Sequence, residues 1–300
     1  MLKRARSLIR VYGKFRSEPL TRDATLRGLG RFLRWQLVSR LARVPLVMPF
    51  VGETHLIISN GMTGARGNIY YGLMEFEDMG FLLHFLSETN SFVDIGANVG
   101  VYTVLSAGVC GARTRCVEPV ENTIRNLRNN LRINGLEGVV KIEHCAVGAE
   151  NGEITFTADC DTTNHVLDRG EVYRGRSVTV PIRRIDDLLG EDVPTLIKID
   201  IEGYEYPALQ NAATVLKSQY CEGLIVEING SGKKYGVGDA DVDALIRSFG
   251  FYPAAYDPIT RRLSALPGHG PRNTIYLKDI AAAQKKLLKA KAFSVLGRKI

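Results

Sequence analysis

The stretch Val93-Asp94-Ile95-Gly96-Ala97-Asn98-Val99-Gly100 reads as a strand that ends in an acidic residue, then a glycine turn, then a helix starting near Val101. Glycines at such a turn let the backbone approach a cofactor closely. A dinucleotide fingerprint needs G-x-G-x-x-G around a pyrophosphate, but Ala97-Asn98 break that spacing, and a carboxylate two residues before the first glycine repels phosphate. The loop therefore favours a ligand that is cationic where it meets the protein. S-adenosylmethionine fits, because it has no phosphate and carries a sulfonium and an ammonium group. Glu118 closes the next strand, where an acidic side chain accepts hydrogen bonds from ribose hydroxyls. Taken alone, such a glutamate is as readily a solvated strand end.

Working outward, short apolar runs at 92–95, 115–117, 139–142, 196–199 and 224–228 alternate with helical patterns. This rhythm predicts an α/β fold, a parallel sheet with helices on both faces. Between the third and fourth runs, 153–158 and 177–182 alternate like the arms of a β-hairpin insert. The runs 251–256 and 273–277 close the sheet, joined by a turn-rich segment and antiparallel. Upstream, 53–71 is glycine-rich and strand-like, and 73–86 reads as a helix.

The 300 residues are 45% hydrophobic and 24% charged, which excludes disorder and fibrous classes. The net charge of +7 is uneven: residues 1–44 carry +10 and residues 278–300 carry +6, leaving −9 for the middle. A basic helix is predicted over 2–15. A second follows over about 25–43, with Leu26, Leu29, Leu33, Leu37 and Leu41 on one face and Arg27, Arg31 and Arg34 elsewhere. These helices have two readings: their apolar faces pack on the domain, or they rest on an anionic membrane surface. No apolar run approaches the roughly 20 residues of a spanning helix, and no secretory signal is recognisable. The five cysteines form no CxxC pair, which suits reduced thiols in a cytoplasmic protein, with the inner membrane face as a peripheral location.

Several stretches resemble the FkbM-type family of S-adenosylmethionine-dependent methyltransferases: Phe92-Val-Asp-Ile-Gly-Ala-Asn-Val-Gly100, Val117-Glu-Pro119, His144-Cys-Ala-Val-Gly148, Ile197-Lys-Ile-Asp-Ile-Glu-Gly-Tyr-Glu205 and Ile225-Val-Glu-Ile-Asn229. The resemblance covers residues 67–280, and the Lys-Ile-Asp-Ile-Glu-Gly-x-Glu segment is its most specific part. It departs at Glu121, where members often have a second proline. The resemblance implies a class I methyltransferase Rossmann-like fold, with a seven-stranded, mostly parallel sheet whose last strand is antiparallel. Residues 51–280 would form that domain, 1–50 a basic helical N-terminal extension and 281–300 a basic C-terminal helix. It further implies that Asp94, Ile95, Gly96, Ala97, Asn98 and Gly100 line the methionine portion of the cofactor, Glu118 the ribose, and Cys145 and Ala146 the adenine. The segment 67–70 would close over the cofactor.

Methyl transfer from a sulfonium is an in-line displacement, so alignment in a dry pocket carries most of the catalysis. A hydroxyl acceptor also gains from a general base. Asp200 and Glu202 lie at the end of the fourth strand and are the first candidates, the alternative being that Asp200 orients the cofactor or caps the next helix. His165, in the insert, is a third, although a lone loop histidine is more often simply exposed. Glu227 and Asn229 suit recognition of acceptor hydroxyls. Asp200, Glu202 and Glu227 also suit Mg²⁺, but no spacing specifies a metal, and none is expected. The segment Gly230-Ser-Gly-Lys-Lys234 lacks the first glycine and the final Ser/Thr of a P-loop.

The expected activity is O-methylation of a sugar, glycolipid or polyketide-like acceptor, either a small molecule or a lipid-linked glycan. RNA or protein methylation is the alternative within enzymes, though the acidic middle segment disfavours nucleic acid as a partner. A non-catalytic membrane-associated binding module is the alternative outside them.

Overall fold

The computed structural model describes residues 11–42, 44–59, 62–159, 164–167 and 173–300. After a helical stretch over 11–17 come α1 (Thr25–Ala42), the paired strands β1 (Leu46–Pro49) and β2 (His55–Ile58), α2 (Thr63–Tyr71) and α3 (Phe76–Phe85). The first half of the central fold is β3 (Ser91–Ile95), α4 (Val101–Val104, continued by a π turn over Leu105–Val109), β4 (Arg113–Val117), α5 (Glu121–Ile133) and β5 (Lys141–Glu143). The insert follows as β6 (Ala146–Val147), β7 (Gly152–Thr157) and β8 (Ser177–Arg183). The second half is α6 (Ile185–Leu189), β9 (Leu196–Ile199), α7 (Glu205–Gln210), α8 (Ala213–Lys217), β10 (Gly223–Glu227), α9 (Asp239–Ser248), β11 (Tyr252–Asp257), β12 (Arg262–Ala265) and β13 (Asn273–Leu277). The chain ends with α10 (Ile280–Leu288) and a small hairpin, β14 (Ser294–Val295) and β15 (Arg298–Lys299).

The central sheet has the order β12-β11-β13-β10-β9-β3-β4-β5. Strands β5, β4, β3, β9 and β10 are parallel, while β13 runs antiparallel to both β10 and β11. Parallel strands covered on both faces must be apolar on both, and alternation along them assigns each side chain to a layer. Phe92, Leu196 and Ile225 face α3, α4, α10 and the N-terminal helices. Val93, Ile95, Ile197, Ile199, Leu224 and Val226 face α6 to α9. The insert pairs β7 and β8 antiparallel, with β6 parallel to β8.

Four expectations need correction. The sheet has eight strands instead of seven, because the turn-rich segment after β11 folds back as β12. Much of 53–71 is helix, not strand: α2 forms because Ile69, Tyr70 and Tyr71 are buried, and tertiary burial overrides their β propensity. Residues 46–49 of the helical extension are strand β1. The C-terminal helix stops at Leu288, since Phe293, Val295 and Ile300 bury themselves as a hairpin that a helix could not form. The predicted helix over 2–15 lies mostly outside the described residues, though 11–17 are helical and Phe15 is buried. No helix among the described residues is long and apolar enough to cross a membrane.

Candidate active site

The C-terminal ends of β3, β4, β9 and β10 border a cavity of about 320 Å³. It lies between β3 and β9, whose outgoing connections run toward opposite edges of the sheet, the place where open α/β folds accept ligands. The insert contributes Phe156 and Asn164 to its wall, and the turn before α3 contributes Met74 and Glu75.

The glycine loop forms one end. Gly96 has φ +80°, and a Cβ there would sit 1.9 Å from the Asp200 carbonyl oxygen, so β3 and the loop after β9 touch backbone to backbone. Asn98, at φ +50°, accepts a hydrogen bond from the Val99 N–H through its own Oδ1 (2.7 Å), a local bond that helps asparagine hold the left-handed region. The Asn98 N–H donates to Glu118 Oε2 at 3.0 Å, and the Val120 N–H donates to Oε1 at 2.9 Å. Burial nevertheless pushes the Glu118 carboxyl up to about 7 against these two donors. Ile95, Ala97, Cys145 and Ala146 also line the cavity. Gly100 does not: its φ is +85°, and a Cβ would meet Leu127 Cδ1 at 2.3 Å, so it serves the packing of α5 on α4.

A buried lysine was not among the candidates. Asp94 and Lys198 are register partners on β3 and β9, so their side chains emerge together on the α3–α4 face. Lys198 Nζ lies 2.6 Å from Asp200 Oδ2 and over the ring of Tyr102, 4.7 Å from its centroid. Burial opposes its charge, but Asp200, Glu75 and Asp94 outweigh burial and hold the ammonium above its ordinary range. Asp94 is itself buried, which raises its carboxyl, while Lys198 and a 2.7 Å hydrogen bond from Thr103 act the other way. Tyr102 completes the group by donating to Glu75 at 2.6 Å. Sequence reading passed over Lys198 because a lysine inside an apolar run carries no signal of its own.

At the other end, Asp200, Glu202 and Glu227 bring carboxylate oxygens within 4.8 Å of one another. Burial first, then Asp200, raises Glu202 to about 7. Burial, then Asp200 and Glu202, raises Glu227 well above the carboxylate range. Three such groups hold a shared proton or a divalent cation of the oxygen-liganded kind. Glu202 has φ +57°, a left-handed conformation that a glutamate keeps only when its surroundings impose it. Glu205 has a different job: its Oε1 accepts from the N–H groups of Ile201 (3.0 Å) and Gly203 (3.1 Å), fixing the turn that presents Glu202.

Three expected contributors lie elsewhere. Asn229 is exposed and accepts from the Ser231 N–H. His165 is not in the cavity wall, although its neighbour Asn164 is. The segment around Val166 pairs with β7, so alternate side chains face opposite ways: Asn164 toward the cavity, Val166 onto Phe156, and His165 away from both. Residues 67–70 belong to α2 and do not line the cavity; Asn68 Oδ1 instead accepts from the Met74 N–H at 2.8 Å, setting the turn that brings Met74 to the wall. The four described cysteines, Cys110, Cys116, Cys145 and Cys221, are free and buried.

These shifts predict a pH dependence of stability. Glu118, Glu202 and Glu205 rise from 4.5 to about 7 in the folded chain, so the native state holds more protons than the unfolded state between those values. Their contribution is fully present below 4.5 and is lost as pH climbs through about 7. Urea unfolding of the ligand-free protein is expected to show a lower midpoint at about pH 8 than at about pH 5.

A mostly parallel sheet whose reversed strands, β13 and β12, lie toward one edge, a glycine turn after the first central strand and an acid closing the next define the class I methyltransferase architecture. The profile of the Methyltransferase FkbM domain matches residues 94–253, more than half of the chain, and the chain belongs to that family. No curated protein matches it. Among solved structures, it is similar to the methyltransferase FkbM from Methylobacillus flagellatus KT at 20% identity and TM-score 0.44, covering 70% of this chain. The match spans 53% of that protein, about half its length. It is also similar to M. jannaschii TYW2 in complex with AdoMet, at 11% identity, 78% and 70% coverage and TM-score 0.41. A third is an RNA methyltransferase from Salinibacter ruber in complex with S-adenosyl-L-homocysteine, at 15% identity, 68% and 88% coverage and TM-score 0.33.

Proposed function

We propose that this chain transfers the methyl group of S-adenosylmethionine to a hydroxyl of a sugar, glycolipid or polyketide-like acceptor. The observation that carries this reading is the two-ended cavity: a glycine loop with a buried acid suits an adenosyl cofactor, and three clustered carboxylates suit a polyol. The residues fit the cofactor because the Gly96-Ala97-Asn98 backbone lines the cavity and each Glu118 oxygen, already holding one N–H, keeps a lone pair for a ribose hydroxyl. When bound, S-adenosylmethionine supplies a methyl group made electrophilic by its sulfonium.

The chain's own residues do the rest. Lys198 holds Asp200 in place through a 2.6 Å contact, and Asp200 raises the proton affinity of Glu202. Glu202, near neutrality in its proton affinity, takes the acceptor hydroxyl's proton as the new bond forms. Glu227, protonated, donates a hydrogen bond to a neighbouring hydroxyl. Phe156 and Tyr204 in the wall keep water from the reacting atoms.

Glu118→Gln is expected to weaken S-adenosylmethionine binding about 10- to 100-fold by calorimetry, the worth of hydrogen bonds to a charged acceptor. Mass spectrometry of glycans and lipids from cells carrying the active chain or Asp200→Ala should reveal one acceptor lacking a single methyl group. Identical glycans and lipids, with the methyl group missing from RNA or protein, would overturn the choice of acceptor.

A further inference from the structure

The α1 helix faces the wrong way for a helix that packs by its leucines. At about 100° per residue, Leu26, Leu33, Leu37 and Leu41 fall within one narrow arc, with Trp35 opposite. The protein contacts the Trp35 side: Trp35 and Ser39 are buried, a Cβ on Gly28 would strike the Phe15 ring at 2.7 Å, and Arg31 donates to the Tyr70 carbonyl at 3.1 Å. The leucines point outward, with Leu26 77%, Leu33 50%, Leu37 61% and Leu41 74% exposed. Just past the helix, Val44 and Val47 are exposed as well.

Large apolar side chains in a row on a surface mark a contact, and the charge around them indicates its chemistry. Residues 24–52 contain five arginines and no acidic residue. Arg27, Arg34 and Arg40 are exposed beside the leucine arc. An apolar stripe edged with arginine suits a boundary between acyl chains and anionic headgroups, with leucines entering the hydrocarbon and guanidinium groups meeting phosphate. We infer that α1 docks this chain onto an anionic phospholipid bilayer through its leucine stripe, with Arg27, Arg34 and Arg40 on the headgroups. This docking does not depend on the acceptor assigned above.

The test is sedimentation of the full chain with phosphatidylcholine vesicles, with and without phosphatidylglycerol. Binding is expected to be at least about tenfold stronger with phosphatidylglycerol, and to fall about tenfold in both Leu33→Glu/Leu37→Glu and Arg27→Glu/Arg34→Glu. Trp35, the sole tryptophan, is buried on the opposite face, so unchanged emission shows that α1 remains seated in each variant. S-adenosylmethionine affinity should stay at the wild-type value, which separates loss of docking from loss of the catalytic fold. Equal sedimentation with both vesicles, or variants that bind like the wild type, would overturn the proposal. So would a vesicle-free dimer that Leu33→Glu/Leu37→Glu dissociates, which would give this face to a second copy.

Discussion

Gly96→Ala is expected to abolish S-adenosylmethionine binding and to cost more than about 4 kcal/mol of folding free energy, the far tail for one substitution. Two causes combine at this position. The backbone lies at φ +80°, where an alanine is disfavoured by roughly 1 kcal/mol. The larger cause is space: the added carbon would lie 1.9 Å from the Asp200 carbonyl oxygen, a backbone atom at the end of β9. The loop cannot shift without breaking the contact between β3 and β9 that brings the glycine turn and Asp200 to one cavity. Gly135→Ala is the control, since Gly135 has φ +67° but nothing within 4 Å of its Cβ direction. It should lose only about 1 kcal/mol and keep full cofactor affinity. Urea unfolding and calorimetry on both variants check the pair, and equal losses would mean that backbone conformation, not the close approach, makes Gly96 necessary.

The glycine loop was legible in sequence because its requirements are local. A strand, an acid and glycines at fixed offsets dictate their own backbone, and Asp94, Gly96, Asn98 and Glu118 all reach the cavity wall. What escaped depends on partners far along the chain. Lys198 becomes meaningful only when β9 lies in register beside β3, so that it faces Asp94 across the sheet. The fate of 53–71 was obscured by Gly67, which reads as a turn signal but sits inside α2, where a Cβ would strike the Met74 sulfur at 2.3 Å. Glycine is there for close packing. The α1 periodicity correctly announced an amphipathic helix, yet periodicity reports only that two faces differ. Which face meets the protein was decided by Phe15, Phe32 and Tyr70 around Trp35, and that turned the leucines outward.

Glu202→Gln is expected to lower turnover about 10²- to 10⁴-fold while leaving S-adenosylmethionine affinity intact, the loss that follows removal of a general base. Asp200 and Glu202 were equal candidates in sequence, and the structure supplies a physical reason to separate their roles. Asp200 is engaged by the Lys198 ammonium at 2.6 Å, which occupies the oxygen that would otherwise meet an acceptor hydroxyl. At Glu202 burial and the Asp200 charge outweigh the opposing pull of Lys234 and Lys198 and raise the carboxyl to about 7, near the pH at which a base combines availability with proton affinity. A base at Glu202, as proposed, acts only when ionised, so wild-type kcat/KM for the acceptor should rise with pH through about 7. Asp200→Asn removes a negative charge that favours the protonated form of Glu202, so the rising limb should move to lower pH. Turnover falls as well, because the Lys198 charge beside the cavity loses the largest of the carboxylates that offset it. The pH profile discriminates where rate alone does not. Retention of the rising limb in Glu202→Gln, or an unmoved limb in Asp200→Asn, would transfer the proton to Asp200 or Glu227 and leave Glu202 as a residue that only positions the acceptor.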